Sequence, residues 1–209
     1  MHNFSLIHAR FALTVTLLAL LVIVLGAYVR LSDAGLGCPD WPGCYGQLIA
    51  PTSELQIASA NSAYPAHPVE VQKAWKEMGH RYLAGMLGLA ILLLALLSIR
   101  NRNLMQQPHL LIWLLVLVVA LQAVLGMWTV TLLVKPAIVT SHLLGGFITA
   151  ALLWILTLRL YSPVLNRYVI SRAGRLLWLS RFGLLVLLLQ IILGGWTSTN
   201  YAAIGCIEF

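Results

Sequence analysis

Two histidines, His80 and His142, stand within long apolar stretches of this 209-residue sequence. In hydrocarbon an unsatisfied polar group costs several kcal/mol, so an imidazole there needs a partner or a ligand. His80 falls about five residues into one stretch, counted from Trp75, and His142 about six into another, counted from Pro136. At 1.5 Å of rise per residue, both rings lie about 8 Å below the helix starts. Imidazoles at matched depth on alternate helices can ligate one haem iron from both sides. The plainer alternative is that each ring hydrogen-bonds a neighbouring helix. Gly85, Gly88, Gly145 and Gly146 lie on the inward side of the histidines. They would let a flat macrocycle approach the backbone, although small residues also serve ordinary helix packing. His2 and His8 near the N-terminus, His67 in a loop and His109 at the far end of another stretch do not match this pattern.

Glu77 precedes His80 by three residues, and Arg81 follows Glu77 by four, so the three share one helix face. They form either an interfacial ion pair or a carboxylate beside a bound macrocycle, able to take a proton or stabilise a developing cation. Cys38 and Cys44 bracket Pro39–Gly43. A disulfide would persist on an oxidising face, and a ring so short contributes only about 2 kcal/mol through chain entropy. The C-x5-C spacing is not the C-x-x-C of thiol oxidoreductases, so a plain staple and a redox-active pair both stay open. Zinc is disfavoured, because no second pair of ligands stands nearby.

The elements that must position these residues follow from composition. The chain is 60% hydrophobic and 9% charged, with a mean hydropathy of +0.90. A soluble domain carries about a quarter charged residues, so this is an integral membrane protein. Its net charge of +7 is spread without a basic run, which excludes a nucleic-acid partner. Five segments are free of charge and long enough to span a bilayer: Phe11–Val29, Tyr82–Ile99, Leu104–Val134, Ala137–Leu158 and Phe182–Thr199. The first lacks a signal-peptide cleavage site and is read as a retained helix. The expected fold is all-α and polytopic. A four-helix bundle occupies residues 1–160 with an outer loop at 31–74, a basic inner loop covers 161–181, and the first helix of a second bundle covers 182–209.

With the N-terminus inside, Arg10, Arg100, Arg102, Arg159, Arg167, Arg172, Arg175 and Arg181 fall inside, and only Arg30, Lys73, Lys76, Arg81 and Lys135 outside. This bias predicts an N-in, C-out orientation. The inner loop would lie against anionic headgroups. The long outer loop, with no obvious structure of its own, is a candidate lid. Lys135 and Pro136 centre a hairpin so short that the helices on either side must be antiparallel neighbours.

The sequence also repeats itself at an offset of 168. Leu25-Gly-Ala-Tyr28, on through Ala34, Gly37 and Cys38, matches Leu193-Gly-Gly-Trp196, on through Ala202, Gly205 and Cys206. A shorter echo joins Gln122-Ala-Val-Leu-Gly-Met-Trp-Thr129 to Gln190-Ile-Ile-Leu-Gly-Gly-Trp-Thr197. The last helix therefore reads as a second copy of the first, and the chain as the N-terminal part of a longer duplicated protein. Cys206 is expected to be unpaired.

Gly26-Ala-Tyr-Val-Arg-Leu-Ser-Asp-Ala-Gly-Leu-Gly-Cys38-Pro-Asp-Trp-Pro-Gly-Cys44, followed by Glu77-Met-Gly-His80-Arg81 and Ser141-His142-Leu-Leu-Gly-Gly146, resembles the haem A synthase family over the whole chain. The resemblance implies an eight-helix architecture of two four-helix bundles and an oxidation of haem O to haem A in which a ring methyl becomes a formyl group, with oxygen from water. It implies that His80 and His142 flank the substrate haem, that Glu77 is the catalytic carboxylate, and that Cys38 and Cys44 form an outer disulfide. A haem b cofactor belongs to a C-terminal bundle that this chain lacks apart from its first helix. Haem O synthase and an electron acceptor are the implied partners, and the bacterial cytoplasmic membrane the implied location. The competing reading is a non-catalytic haem-binding electron carrier or haem-handling protein, which would need only the histidine pair.

Overall fold

The computed structural model describes residues 2–100, 108–161 and 174–201. Its helices are α1 (His2–Leu31), α2 (Glu54–Ala63), α3 (Val71–Arg100), α4 (His109–Thr131), α5 (Pro136–Tyr161) and α6 (Gly174–Thr199). All but α2 are long and apolar enough to cross a membrane. The all-α expectation therefore holds; among the described residues the only β pairing is an isolated bridge between Cys44 and Gln47.

Four of the helices close into a ring in which α1 packs on α3, α3 on α4, α4 on α5, and α5 on α1. The α4–α5 hairpin is as short as Lys135 and Pro136 predict. Leu133 and Val134 both take positive φ, 55° and 54°, and the Val134 N–H donates back to the Thr129 carbonyl at 2.8 Å, which finishes α4. Pro136 then opens α5, where a missing N–H costs nothing. On α1, Ala9, Ala12, Val15 and Ala19 form a narrow buried stripe against Leu153 and Leu156 of α5 and Ile91 and Ala95 of α3. Small side chains let helix backbones approach closely where lipid supplies no hydrophobic drive for association. Within this apolar contact the hydroxyls of Thr16 and Thr157 meet at 3.1 Å. His109 bonds Ser98 through Nδ1 at 2.7 Å, tying α4 to α3 at the end of the bundle away from the long loop.

Three boundaries differ from the sequence reading. The connection between α1 and α3 is not free of structure, because Ser53 caps α2 and Gln56 returns the bond in a capping box. Its Ser-x-x-Gln pattern was legible in the sequence. Next, α3 begins at Val71, a turn before Trp75, since Gln72, Lys73 and Lys76 are polar but good helix formers. Finally, α6 starts at Gly174, inside the segment expected to be a loop. Most of that segment, residues 162–173, lies outside the described residues, as does Cys206.

Helix α6 packs beside α5, outside the ring. Its C-terminal end also reaches α1. Arg30 Nη2 donates to the Ser198 carbonyl at 2.6 Å, the Arg30 guanidinium lies 4.4 Å from the centre of the Tyr201 ring, and Tyr201 donates to Asp33 at 3.0 Å. Both hydrogen-bonded pairs are 168 residues apart, the offset of the repeat. Residues equivalent in two copies touch each other only beside an axis of two-fold symmetry. By the sequence offset, Arg30 with Ser198 and Asp33 with Tyr201 are two pairs of this kind.

Candidate functional site

Because α1 and α4 separate them in the ring, α3 and α5 stand at opposite corners, and His80 and His142 come from those two helices. His80 leans on α1, where the Val22 carbonyl is its hydrogen-bond partner. That approach requires Gly26 one turn on, since a Cβ there would stand 2.9 Å from His80 Cε1. His142 leans on α4, where a Cβ on Gly126 would lie 3.5 Å from its Cε1. The Nδ1 atom of each ring is buried and without a hydrogen-bond partner. A buried donor or acceptor left unsatisfied costs about 1–3 kcal/mol. Two such nitrogens on facing helices suit the axial positions of a haem iron.

The glycines singled out in the sequence have other tasks. Gly88 faces Val119 and Gly146 faces Ile23, each at ordinary packing distance, while the place of a side chain at Gly145 is taken by the amide of Gln122. Only Gly85 of the four faces open space. The glycines that seat the histidines are Gly26 and Gly126. Both carry the Leu-Gly-x-aromatic pattern of the repeat, a signal present in the sequence but read there as symmetry alone.

One turn before His80, Glu77 is 4% exposed and turns toward the long loop. Its Oε2 accepts from the Cys38 N–H at 3.0 Å, and its Oε1 accepts from Arg81 Nη2 at 2.5 Å. The other guanidinium nitrogen, Nη1, donates to the carbonyls of Gly43 at 2.6 Å, Asp40 at 3.0 Å and Pro42 at 3.4 Å. Cys38 and Cys44 are disulfide-bonded and fully buried. The ring they close is stiffened by Asp40, whose carboxylate accepts the N–H groups of Tyr45 and Gly46, both at 2.7 Å. Gly37 lets the loop backbone lie directly on α3, since a Cβ there would come within 2.6 Å of the Lys73 carbonyl carbon. Sequence reasoning brought Glu77, His80 and Arg81 to one face but missed that this face is the floor of the cysteine loop. Among the described residues no group of three His, Cys, Asp or Glu gathers to hold a free metal ion.

This arrangement sets two buried imidazoles on opposite helices of the ring, with a buried carboxylate one turn from His80 and a covalently closed loop over the carboxylate. The chain is 49% identical over 189 residues to the heme A synthase of Shewanella oneidensis, covering 90% of this chain and 56% of that protein. It is 31% identical over 197 residues to the heme A synthase of Bradyrhizobium diazoefficiens, covering 85% and 53%. The chain thus spans about half the length of these relatives. No solved structure matches it. Residues 9–209 match the COX15-CtaA family, described as cytochrome oxidase assembly protein. The chain, an integral membrane protein by its spans, belongs to that family of cytochrome oxidase assembly proteins.

Proposed function

We propose that this chain forms the substrate half of a haem A synthase, in which His80 and His142 bind haem O as axial ligands and Glu77 serves its oxidation to haem A. The observation that carries the reading is the pair of partnerless imidazole nitrogens on α3 and α5, the one on α3 a helical turn from a buried carboxylate. The net reaction turns a ring methyl into a formyl group. It adds one water oxygen and releases four protons and four electrons to an acceptor. The bound iron porphyrin supplies a conjugated system through which electrons can leave.

The residues of this chain do the remainder. The imidazoles would hold the macrocycle between α3 and α5, and the apolar helix walls would keep bulk water from it. Glu77 can accept a proton from the reacting carbon or water and can stabilise positive charge that develops there. In this reading it would stand toward the rim of the ring rather than at the iron, because it lies one turn from a ligand. The loop end of the bundle faces out, by the distribution of basic residues, in the bacterial cytoplasmic membrane. Haem O synthase is the partner that would deliver the substrate, and haem b would belong to a second bundle. A haem-binding electron carrier would need the histidines but not Glu77, and the burial of that carboxylate favours the enzyme.

The test is a spectrum of the purified protein followed by turnover of added haem O. A bis-imidazole spectrum with haem A formation supports the proposal, whereas the spectrum without product in the intact protein returns the assignment to an electron carrier.

A further inference from the structure

The ring closed by Cys38 and Cys44 meets α3 through Glu77 and Arg81. At one end of the ring the Cys38 N–H holds Glu77 Oε2. At the other, the Gly43 carbonyl accepts from Arg81 Nη1, with the Asp40 and Pro42 carbonyls beside it. Arg81 Nη2 completes the circuit by donating to Glu77 Oε1. Gly43 is bonded to Cys44, and Cys44 to Cys38 through the disulfide, so the path closes on itself. The side chains of Arg81 and Glu77 are 12% and 5% exposed, so solvent does little to loosen it.

Each part restrains the next. A guanidinium has a planar fork of donors; three carbonyls gathered on one nitrogen fix where the other nitrogen points. That second nitrogen decides the orientation of the carboxylate. The carbonyls stay gathered because the loop that bears them is cross-linked. An ammonium in place of the guanidinium would keep the charge but lose the rigid fork, and could not hold both sides at fixed positions.

We propose that Arg81 is the positioning residue for Glu77, and that the closed Cys38–Cys44 ring keeps Arg81 in place, so that the thiol–disulfide state of the loop sets the aim of the carboxylate. The proposal rests on the reading of Glu77 as the reacting group. Opening the ring takes two electrons and two protons and leaves two thiols; a phosphine reductant supplies the electrons and is oxidised to its phosphine oxide.

The experiment uses the intact membrane-embedded protein and compares wild type, Arg81→Lys and Glu77→Gln. Three quantities are read: the haem spectrum, kcat and KM for haem O, and the rate at which the phosphine exposes thiols to labelling. Arg81→Lys is expected to keep the spectrum and KM, to lose about 10²-fold in kcat, as a misplaced reacting group does, and to be reduced faster. Reducing the wild-type protein beforehand should cost a similar factor, and reducing Arg81→Lys should cost little more, because both changes break one circuit. Full kcat in Arg81→Lys, independent multiplying losses, or an unchanged rate of disulfide reduction would each overturn the proposal. If Arg81→Lys does not accumulate, reduction of the wild type decides alone, and undiminished kcat with an intact spectrum overturns it. Normal turnover in Glu77→Gln would instead remove the reading beneath the proposal, while faster reduction of Arg81→Lys would still report the contact between ring and guanidinium.

Discussion

Gly26 and His80 touch so closely that a single methyl group on the glycine would stand 2.9 Å from the imidazole Cε1. At the counterpart, Gly126 with His142, the added methyl would meet Cε1 at an ordinary contact distance of 3.5 Å. Two glycines with the same local sequence pattern should therefore respond differently to the same change. Gly26→Ala is expected to push His80 off the Val22 carbonyl, cost about 1–3 kcal/mol as overpacking does, and alter the haem spectrum. Gly126→Ala should leave the spectrum alone. Absorption spectra of the two purified variants, recorded with thermal denaturation, check the contrast.

Replacing either histidine removes one axial position. His80→Ala and His142→Ala should each abolish a low-spin bis-imidazole spectrum. An unchanged spectrum in both variants would send the search for ligands elsewhere in the bundle.

Glu77→Gln keeps the volume of the side chain and discards its charge. Haem retention should stay close to normal while haem A formation falls by about 10²- to 10⁴-fold, the usual worth of a positioned acid or base. Product analysis by mass, alongside the spectrum, separates the two effects. A normal rate would reduce Glu77 to an ion-pair partner of Arg81.

The loop is seated on α3 by a glycine that has no space for a side chain. Gly37→Ala would place a Cβ within 2.6 Å of the Lys73 carbonyl carbon and 2.8 Å of the Ala74 nitrogen, backbone atoms that cannot step aside. The loop should lift, and the Cys38 N–H should leave Glu77. Faster thiol exposure under reductant and lower turnover, with haem still bound, are the expected results.

Without reduction, peptide mapping should recover Cys38 joined to Cys44. A bridge from Cys206 to either loop cysteine would break the repeat argument.

The five spans could be read directly, since length and freedom from charge are one-dimensional properties. So could the pairing of Glu77 with Arg81, which needs only helical spacing. What the sequence could not supply is which helix each residue faces. A transmembrane helix is apolar all round, so its pattern does not mark the side that meets a neighbour, and Gly145 looks no different from Gly26. The first packs against the Gln122 amide and the second seats a histidine. That assignment comes only from the order of helices in the ring. The carbonyl contacts of Arg81 were hidden for another reason: they are made by loop backbone, whose path depends on the disulfide and on the bonds that Asp40 makes to Tyr45 and Gly46.

The contacts of Arg30 with Ser198 and of Asp33 with Tyr201 bear on ancestry. In a homodimer built from one gene, a residue beside the symmetry axis faces its own twin, and an arginine at position 30 would confront another arginine. Fusing two copies into one chain lifts that restriction, because each position on the seam can then change independently. At the seam here the paired positions carry different residues, an arginine that donates to the backbone carbonyl of a serine and an aspartate that accepts from a tyrosine hydroxyl. A seam of this kind no longer pairs equally well with itself, so it favours assembly within one polypeptide over exchange between chains.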